Sequence, residues 1–384
     1  EIRKKIKKIK KKNKYFNEKK QNYIIDKLNF SLTGDQKKTL NEINKDLSSS
    51  KKMFRLLQGD VGSGKTIVSL LAAFNTVMSG FQVSIMTPTE ILARQHYNLA
   101  KKIFPQNLNI ELISGKSDYK SKKNILNKLK NQDIDIIFGT HAIFQKKVTY
   151  NNLGLIIIDE QHKFGVNQRK KLSDKGGHNC DVLLMTATPI PRTLTMTMYG
   201  DMDLSIIAEK PKLRKPIKTY SKLENKIDDI IKFIKKEIKE GNQIFWVCPL
   251  IEESKKLDHS SAVKKFDYLV KLFPNQVSLL HGKTDIEEKE IILNNFLNNK
   301  FKILVSTTII EVGIDFPNAN VIIIENANKF GLSQLHQLRG RVGRGDKDST
   351  CILMFKSNLS ENAKKRINIL KESNDGFYIS EEDM

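Results

Sequence analysis

The sequence predicts two tandem α/β domains, each a mostly parallel sheet flanked by helices, and three observations predict it. Short, near-continuous apolar runs alternate with amphipathic stretches, the pattern of strands buried on both faces of a parallel sheet. That pattern stops at "EKPKLRKP", residues 209–216, where two prolines and four basic residues leave almost nothing apolar, and then starts again. The 384 residues also exceed what one compact core usually organises and suit two.

The elements follow in order. Residues 1–29 open with "EIRKKIKKIKKKNKYFNEKK", whose Ile2, Ile6, Ile9 and Phe16 fall on one helical face, so a solvated, lysine-rich linker helix with one packed stripe is expected. The first domain, 30–208, has strands expected at "FRLLQ" from 54, "QVSIMT" from 82, "IELIS" from 110, "DIIFGT" from 135, "LGLIIID" from 153 and "VLLMTAT" from 182. Residues 209–220 read as an exposed linker. The second domain, 221–358, has strands expected at "QIFWVC" from 243, "VSLLHG" from 277, "KILVSTT" from 302, "NVIIIE" from 320 and "TCILMF" from 350.

Composition narrows the function. No apolar run reaches the ~18 residues of a membrane span, and the first isoleucines are isolated among lysines, unlike a signal peptide. Cys180, Cys248 and Cys351 are odd in number and form no CxxC pair, which argues against a disulfide framework or a zinc site and fits a reducing cytoplasm. The net charge of +23 points to an anionic partner such as nucleic acid. Lys, Asn and Ile are abundant throughout, as in proteins of AT-rich genomes, so part of that charge reflects composition alone.

Three stretches carry chemistry. "GDVGSGKT", residues 59–66, fits G-x-x-x-x-G-K-[ST]: the backbone of Gly59, Asp60, Val61, Gly62, Ser63 and Gly64 can close round a phosphate. Lys65 then reaches the β- and γ-phosphates, and Thr66 ligates Mg²⁺ at a helix N-terminus that favours anions. "LIIIDEQH" places Asp159 and Glu160 at the end of a buried strand, where Asp159 can hold the metal and Glu160 can deprotonate water. "QLHQLRGRVGRG", residues 334–345, sets Arg339, Arg341 and Arg344 among glycines in a second domain that has no phosphate loop. Reaching the γ-phosphate, Arg341 and Arg344 would act as arginine fingers, worth ~10³–10⁵ in rate, and ATP state would become domain position.

In this order the motifs resemble those of the superfamily 2 helicases, over about residues 28–378, which implies two tandem RecA-like domains that use ATP and Mg²⁺. "FSLTGDQ" resembles the Q motif, implying that Phe30 stacks on adenine and Gln36 bonds its edge. "TPTEILARQH" from 87 resembles motif Ia and "GTHAIFQ" from 139 motif Ib, implying that Thr87, Pro88, Arg94, Thr140 and His141 line a DNA path. "DEQH" and "TATPIPRT" resemble motifs II and III, with His162 coupling to Thr186 or Thr188. "WVCPLIEES" resembles motif IV. "STTIIEVGIDFPNA" resembles motif V, with Gly313 and Asp315 beside the nucleotide, and "HQLRGRVGRG" motif VI, with Gln337 joining Arg341 and Arg344.

"DEQHKFGVNQR", "TATPIPRTLTMTMYGDMDLS" and "ESNDGF" look like the bacterial branch that remodels stalled forks and Holliday junctions, implying branched and double-stranded DNA as partner and a monomeric motor. The transcription-repair coupling factors share "FGLSQLHQLRGRVGR" but typically read DEEH, with phenylalanine in place of Ser63. An inactive, ATP-gated DNA-binding fragment is the third possibility. The chain starts at Glu1 without the wedge domain of that branch, and 359–384 resembles the start of its helical translocation motif, so a piece of a longer protein is expected.

Overall fold

The computed structural model describes residues 10–114, 119–145, 147–160, 177–188, 202–211, 215–249, 255–282, 284–307, 314, 316–343, 347–357 and 359–383. They fall into two compact units, Glu1–Pro211 and Lys212–Met384. No helix among the described residues is long and apolar enough to cross a membrane.

Unit 1 runs α1 (Glu18–Asp26), α2 (Gly34–Ser48), β1 (Phe54–Gly59), α3 (Lys65–Met78), β2 (Gln82–Met86), α4 (Glu90–Ile103), β3 (Ile110–Ile113), α5 (Tyr119–Lys130), β4 (Ile136–Gly139), β5 (Leu153–Ile158), β6 (Asp181–Thr186) and β7 (Asp203–Ile207). Its strands pair in the order β3-β4-β2-β5-β6-β1-β7, all in parallel. The interior strands bury both faces. Leu155 and Ile157 of β5 join one core with α3, while Ile156 and Ile158 join another on the opposite face, which is why β5 reads as an unbroken apolar run. Because the strands are parallel, Gly59, Met86, Gly139, Ile158 and Thr186 all end at one sheet edge, and the loops that follow them share it.

Unit 2 runs β8 (Lys218–Leu223), α6 (Ile227–Lys239), β9 (Gln243–Val247), α7 (Lys255–Leu272), β10 (Val277–Leu280), α8 (Ile286–Leu297), β11 (Ile303–Ser306), β12 (Ala319–Ile324), α9 (Leu332–Arg339), β13 (Thr350–Phe355), α10 (Glu361–Glu372) and α11 (Gly376–Glu381). The strands are again parallel, in the order β10-β11-β9-β12-β13-β8. On one face Phe245, Phe296 and Phe316 form a ring triangle with centroids 5.2–5.4 Å apart. On the other, Ile244 and Trp246 pack against Ile230, Ile231 and Ile234 of α6.

The structure corrects three readings. The lysine-rich lead-in is no solvated helix where it is described: Lys10 bridges to Lys51, and among the described residues helix begins at Glu18, capped by Asn17. Lys11 Nζ and Lys14 Nζ are buried, each 2.6 Å from Asp181 Oδ2. Ile2, Ile6 and Ile9 lie outside the described residues. The linker expected over 209–220 ends early, because β8 starts at Lys218. Finally, β7 and β8 were not expected as strands. β8, "KTYSKL", is a half-exposed sheet edge with polar residues, so it carries no apolar run.

Candidate active site

The phosphate loop needs its glycines. Gly62 and Gly64 take φ of +76° and +88°, a region open to glycine at little cost. A β-carbon on Gly59 would lie 2.5 Å from Ser63 Oγ and 2.9 Å from the Ile207 carbonyl, and one on Gly64 would lie 2.2 Å from Gln36 Nε2. Lys65, the first residue of α3, donates from Nζ to the carbonyls of Gly59 at 2.7 Å and Asp60 at 2.9 Å, which holds the ammonium over the loop. Asp60 accepts the Val61 N–H on Oδ1 at 2.7 Å. The positive end of the α3 dipole therefore opens on the loop.

Gln36 fastens this loop to α2. Thr33 and Gln36 make a reciprocal capping box, with Thr33 N–H donating to Gln36 Oε1 at 2.9 Å and Gln36 N–H to Thr33 Oγ1 at 3.2 Å. Gln36 Nε2 donates to the Ser63 carbonyl at 2.8 Å. A carboxamide has two donors and two lone pairs, so these bonds leave capacity for a base edge. Phe30 is exposed.

The acid pair sits on the same edge. Asp159 N–H donates to the Met86 carbonyl at 2.9 Å, and Asp159 Oδ1 accepts Glu160 N–H at 3.0 Å. Glu160 holds φ at +52°, a left-handed conformation costing on the order of 1–2 kcal/mol, and both acids are buried. Glu160 Oε2 faces Ala187 N–H at 3.5 Å, and Thr188 N–H donates to Thr186 Oγ1 at 3.1 Å, so the loops after β5 and β6 meet. Thr66 offers a hydroxyl and Asp159 a carboxylate, hard oxygen donors of the kind Mg²⁺ takes beside phosphate and water, so the residues fit that ion. Among the described residues, no cluster of three His, Cys, Asp or Glu suits another metal.

Of the expected DNA-path residues, Arg94 and His141 are exposed, whereas Thr87 is buried and spends its hydroxyl on the Thr89 carbonyl at 2.8 Å. Gln337 lies on α9 and Arg341 just after it, buried, in unit 2. His162, Gly313, Asp315 and Arg344 lie outside the described residues.

Comparison with known proteins places these motifs in a lineage. The DEAD/DEAH box helicase family matches residues 33–197 and the helicase conserved C-terminal domain residues 225–346. The ATP-dependent DNA helicase RecG of Bacillus subtilis is 48% identical over 364 residues, 94% of this chain and 53% of that protein. Its namesake in Thermotoga maritima is 46% identical, over 94% of this chain and 46% of that protein. A solved structure of RecG bound to a three-way DNA junction matches all of this chain and 50% of its own, with a TM-score of 0.88 at 42% identity.

The chain belongs to the RecG family. Coupling factors, the near alternative, are not favoured by these relatives. The chain spans about half the length of the RecG proteins it matches. Yeast Dbp5 bound to RNA and ADP BeF3 matches with a TM-score of 0.63 at 17% identity, over 92% of this chain and 93% of its own, a likeness of fold alone.

Within this RecG-family frame, the sequence named Arg339 but not its contacts, and it did not mark Arg366, Asp383 or His96. Arg339 is buried and donates from Nη1 to the Leu370 and Ser373 carbonyls at 2.5 and 2.9 Å, closing the C-terminal end of α10. Arg366 of α10 returns two bonds, to the Phe330 and Asn328 carbonyls at 2.7 and 3.2 Å. Asp383 accepts the Leu332 and Ser333 N–H groups at 3.2 and 3.1 Å, at the start of α9. The helical pair α10–α11 thus grips the motif VI helix at both ends. His96 of α4 was also missed. Its Nε2 stands 3.6 Å from Asp159 Oδ2, beyond hydrogen-bond reach, and burial holds its imidazole down to about 4, hence neutral at pH 7. Leu92, His96 and Ala100 share one buried face of α4 at i, i+4 spacing, the one signal that marked it as inward.

Proposed function

We propose that the chain is the ATP-driven motor of a RecG-type DNA helicase, hydrolysing ATP to translocate on double-stranded DNA and so remodel stalled forks and Holliday junctions in repair and recombination. The observation that carries this is the meeting, on one sheet edge, of a glycine-dependent phosphate loop with the Asp159–Glu160 pair. Lys65 turns from the loop carbonyls to the β- and γ-phosphates. Thr66 and Asp159 would hold Mg²⁺, which would neutralise phosphate charge. Glu160 accepts the proton of the attacking water. Phe30 and Gln36 select adenine, while Asp60, Val61, Gly62 and Ser63 line the phosphates with backbone amides.

On the motif resemblance, Gln337, Arg341 and Arg344 serve the transition state, and Gly313 and Asp315 serve the nucleotide at its ribose or γ-phosphate. Arg94, Thr140 and His141, with the Thr87–Pro88 backbone, face the DNA. Branched DNA is the favoured partner, supported by the junction-bound RecG structure, and a monomer is the expected working form.

Lys65→Ala abolishes ATP turnover in a protein with unchanged circular dichroism, and Glu160→Gln binds ATP without cleaving it. Turnover of Lys65→Ala at the parent rate would sink the assignment. Measuring the parent's ATPase with forked, duplex and single-stranded DNA in turn then ranks the DNA substrates.

A further inference from the structure

The chain leaves unit 1 through Ala208, Glu209 and Lys210, directly after β7, and this root of the connector is fastened. Ala208 N–H and Glu209 N–H both donate to Asp35 Oδ2 at 2.9 Å, and Asp35 N–H donates back to Glu209 Oε2 at 3.1 Å. Lys210 Nζ stands 2.9 Å from Asp60 Oδ2. Both anchors flank the nucleotide site. Asp35 precedes Gln36 in the first turn of α2, and Asp60 is the second residue of the phosphate loop. Asp60's side chain is 8% exposed and Lys210's 36%, so the pair is only partly screened by water.

A carboxylate inside a phosphate loop opposes the arrival of a triphosphate, since like charges at short range repel more strongly where water is scarce. A lysine on that carboxylate offsets the repulsion. The Asp60 backbone also carries Lys65, whose Nζ donates to the Asp60 carbonyl at 2.9 Å, so anchoring Asp60 steadies the ammonium that must turn to the phosphates.

We propose that Lys210 is a positioning residue for the phosphate loop, whose pairing with Asp60 ties ATP affinity to the root of the connector. The inference rests on residues 59–66 binding ATP. Linkage makes it reciprocal: if the pairing strengthens ATP binding, ATP strengthens the pairing by the same factor. The connector root is therefore firmest when ATP is bound.

The test uses the full chain. Lys210→Gln raises KM for ATP and weakens binding of a fluorescent ATP analogue by roughly three- to fivefold, the scale of a partly exposed ion pair, and lowers kcat much less. Lys210→Arg keeps the parent affinity, and Asp60→Asn placed in Lys210→Gln restores part of the loss, because the carboxylate charge that opposes the triphosphate is gone. Hydrogen exchange at the Ala208 and Glu209 amides slows on adding a non-hydrolysable ATP analogue to the parent and does not slow in Lys210→Gln. A parent that binds no ATP overturns the nucleotide reading itself. A parent that binds ATP while Lys210→Gln matches it in affinity, or whose 208–209 amides ignore nucleotide, overturns the coupling alone.

Discussion

Two lysines share one carboxylate at the base of the first sheet, and that arrangement sets how the lead-in is held. Asp181 Oδ2 takes Lys11 and Lys14, Asp181 Oδ1 takes the Met53 N–H at 2.6 Å, and all three side chains are buried. Burial pushes the Lys11 ammonium below its usual range, with Asp181 opposing that shift. Removing one member of such a set leaves uncompensated charge. Asp181→Ala is expected to cost about 3–5 kcal/mol, read as a lower urea midpoint for unit 1 by circular dichroism. The single tryptophan, Trp246, lies in unit 2, so its fluorescence transition stays in place as an internal reference. A shift below about 1 kcal/mol would show the staple to be dispensable. The sequence hid it because "DVLLMTAT" reads as a strand start and lysine runs read as solvated. The glycines of the phosphate loop were legible for the opposite reason: local backbone geometry, with φ of +88° at Gly64, dictates them wherever the loop occurs.

At the scale of elements, legibility followed burial. Strands β1–β6 and β9–β13 were readable from their apolar runs, the edge strands β3 and β10 included, whereas β7 and β8, edge strands whose sequences "DLSII" and "KTYSKL" are interrupted by polar residues, were not. The helical pair α10–α11 was readable as helix but its attachment was not, because that attachment uses one arginine from a run of three and an aspartate 44 residues beyond Arg339 in the numbering. Arg339 is placed to close α10 because a guanidinium offers several donors in a fixed fork to the open carbonyls of a helix end. Arg339→Ala is therefore expected to release α10–α11 while β13 and the sheet persist. Hydrogen exchange over 361–381 would rise toward unprotected rates, with β13 peptides unchanged. Equal loss of protection in both would mean that Arg339 supports the whole unit and not the clamp. The three cysteines fit the same picture of well-shielded sheets: burial lifts the Cys180 and Cys351 thiols to about 12, leaving them protonated and unreactive in the folded protein.

The whole molecule carries a charge of +23, and two accounts compete for it. In one, lysines spread evenly over the surface by composition; in the other, a subset lines a DNA track. The structure shows why composition cannot decide: Lys11, Lys14 and Lys65 are buried and engaged within the protein, while Lys215 and Lys218 are exposed but pair with Asp348 at 2.8 and 3.1 Å. Salt dependence separates the accounts. A protein that neutralises Z phosphates of duplex DNA loses affinity with a slope of about −0.9Z in log K against log salt. A track crossing several phosphates should give a straight line with a slope of several units, and the same slope for a fork if the motor grips its duplex arm. Diffuse attraction without fixed contacts would give weak binding at every salt and no preference between DNA forms. Titrating labelled duplex and forked DNA across 50–300 mM salt measures both quantities at once, and a flat response would remove the DNA track from the proposed function while leaving the ATP site untouched.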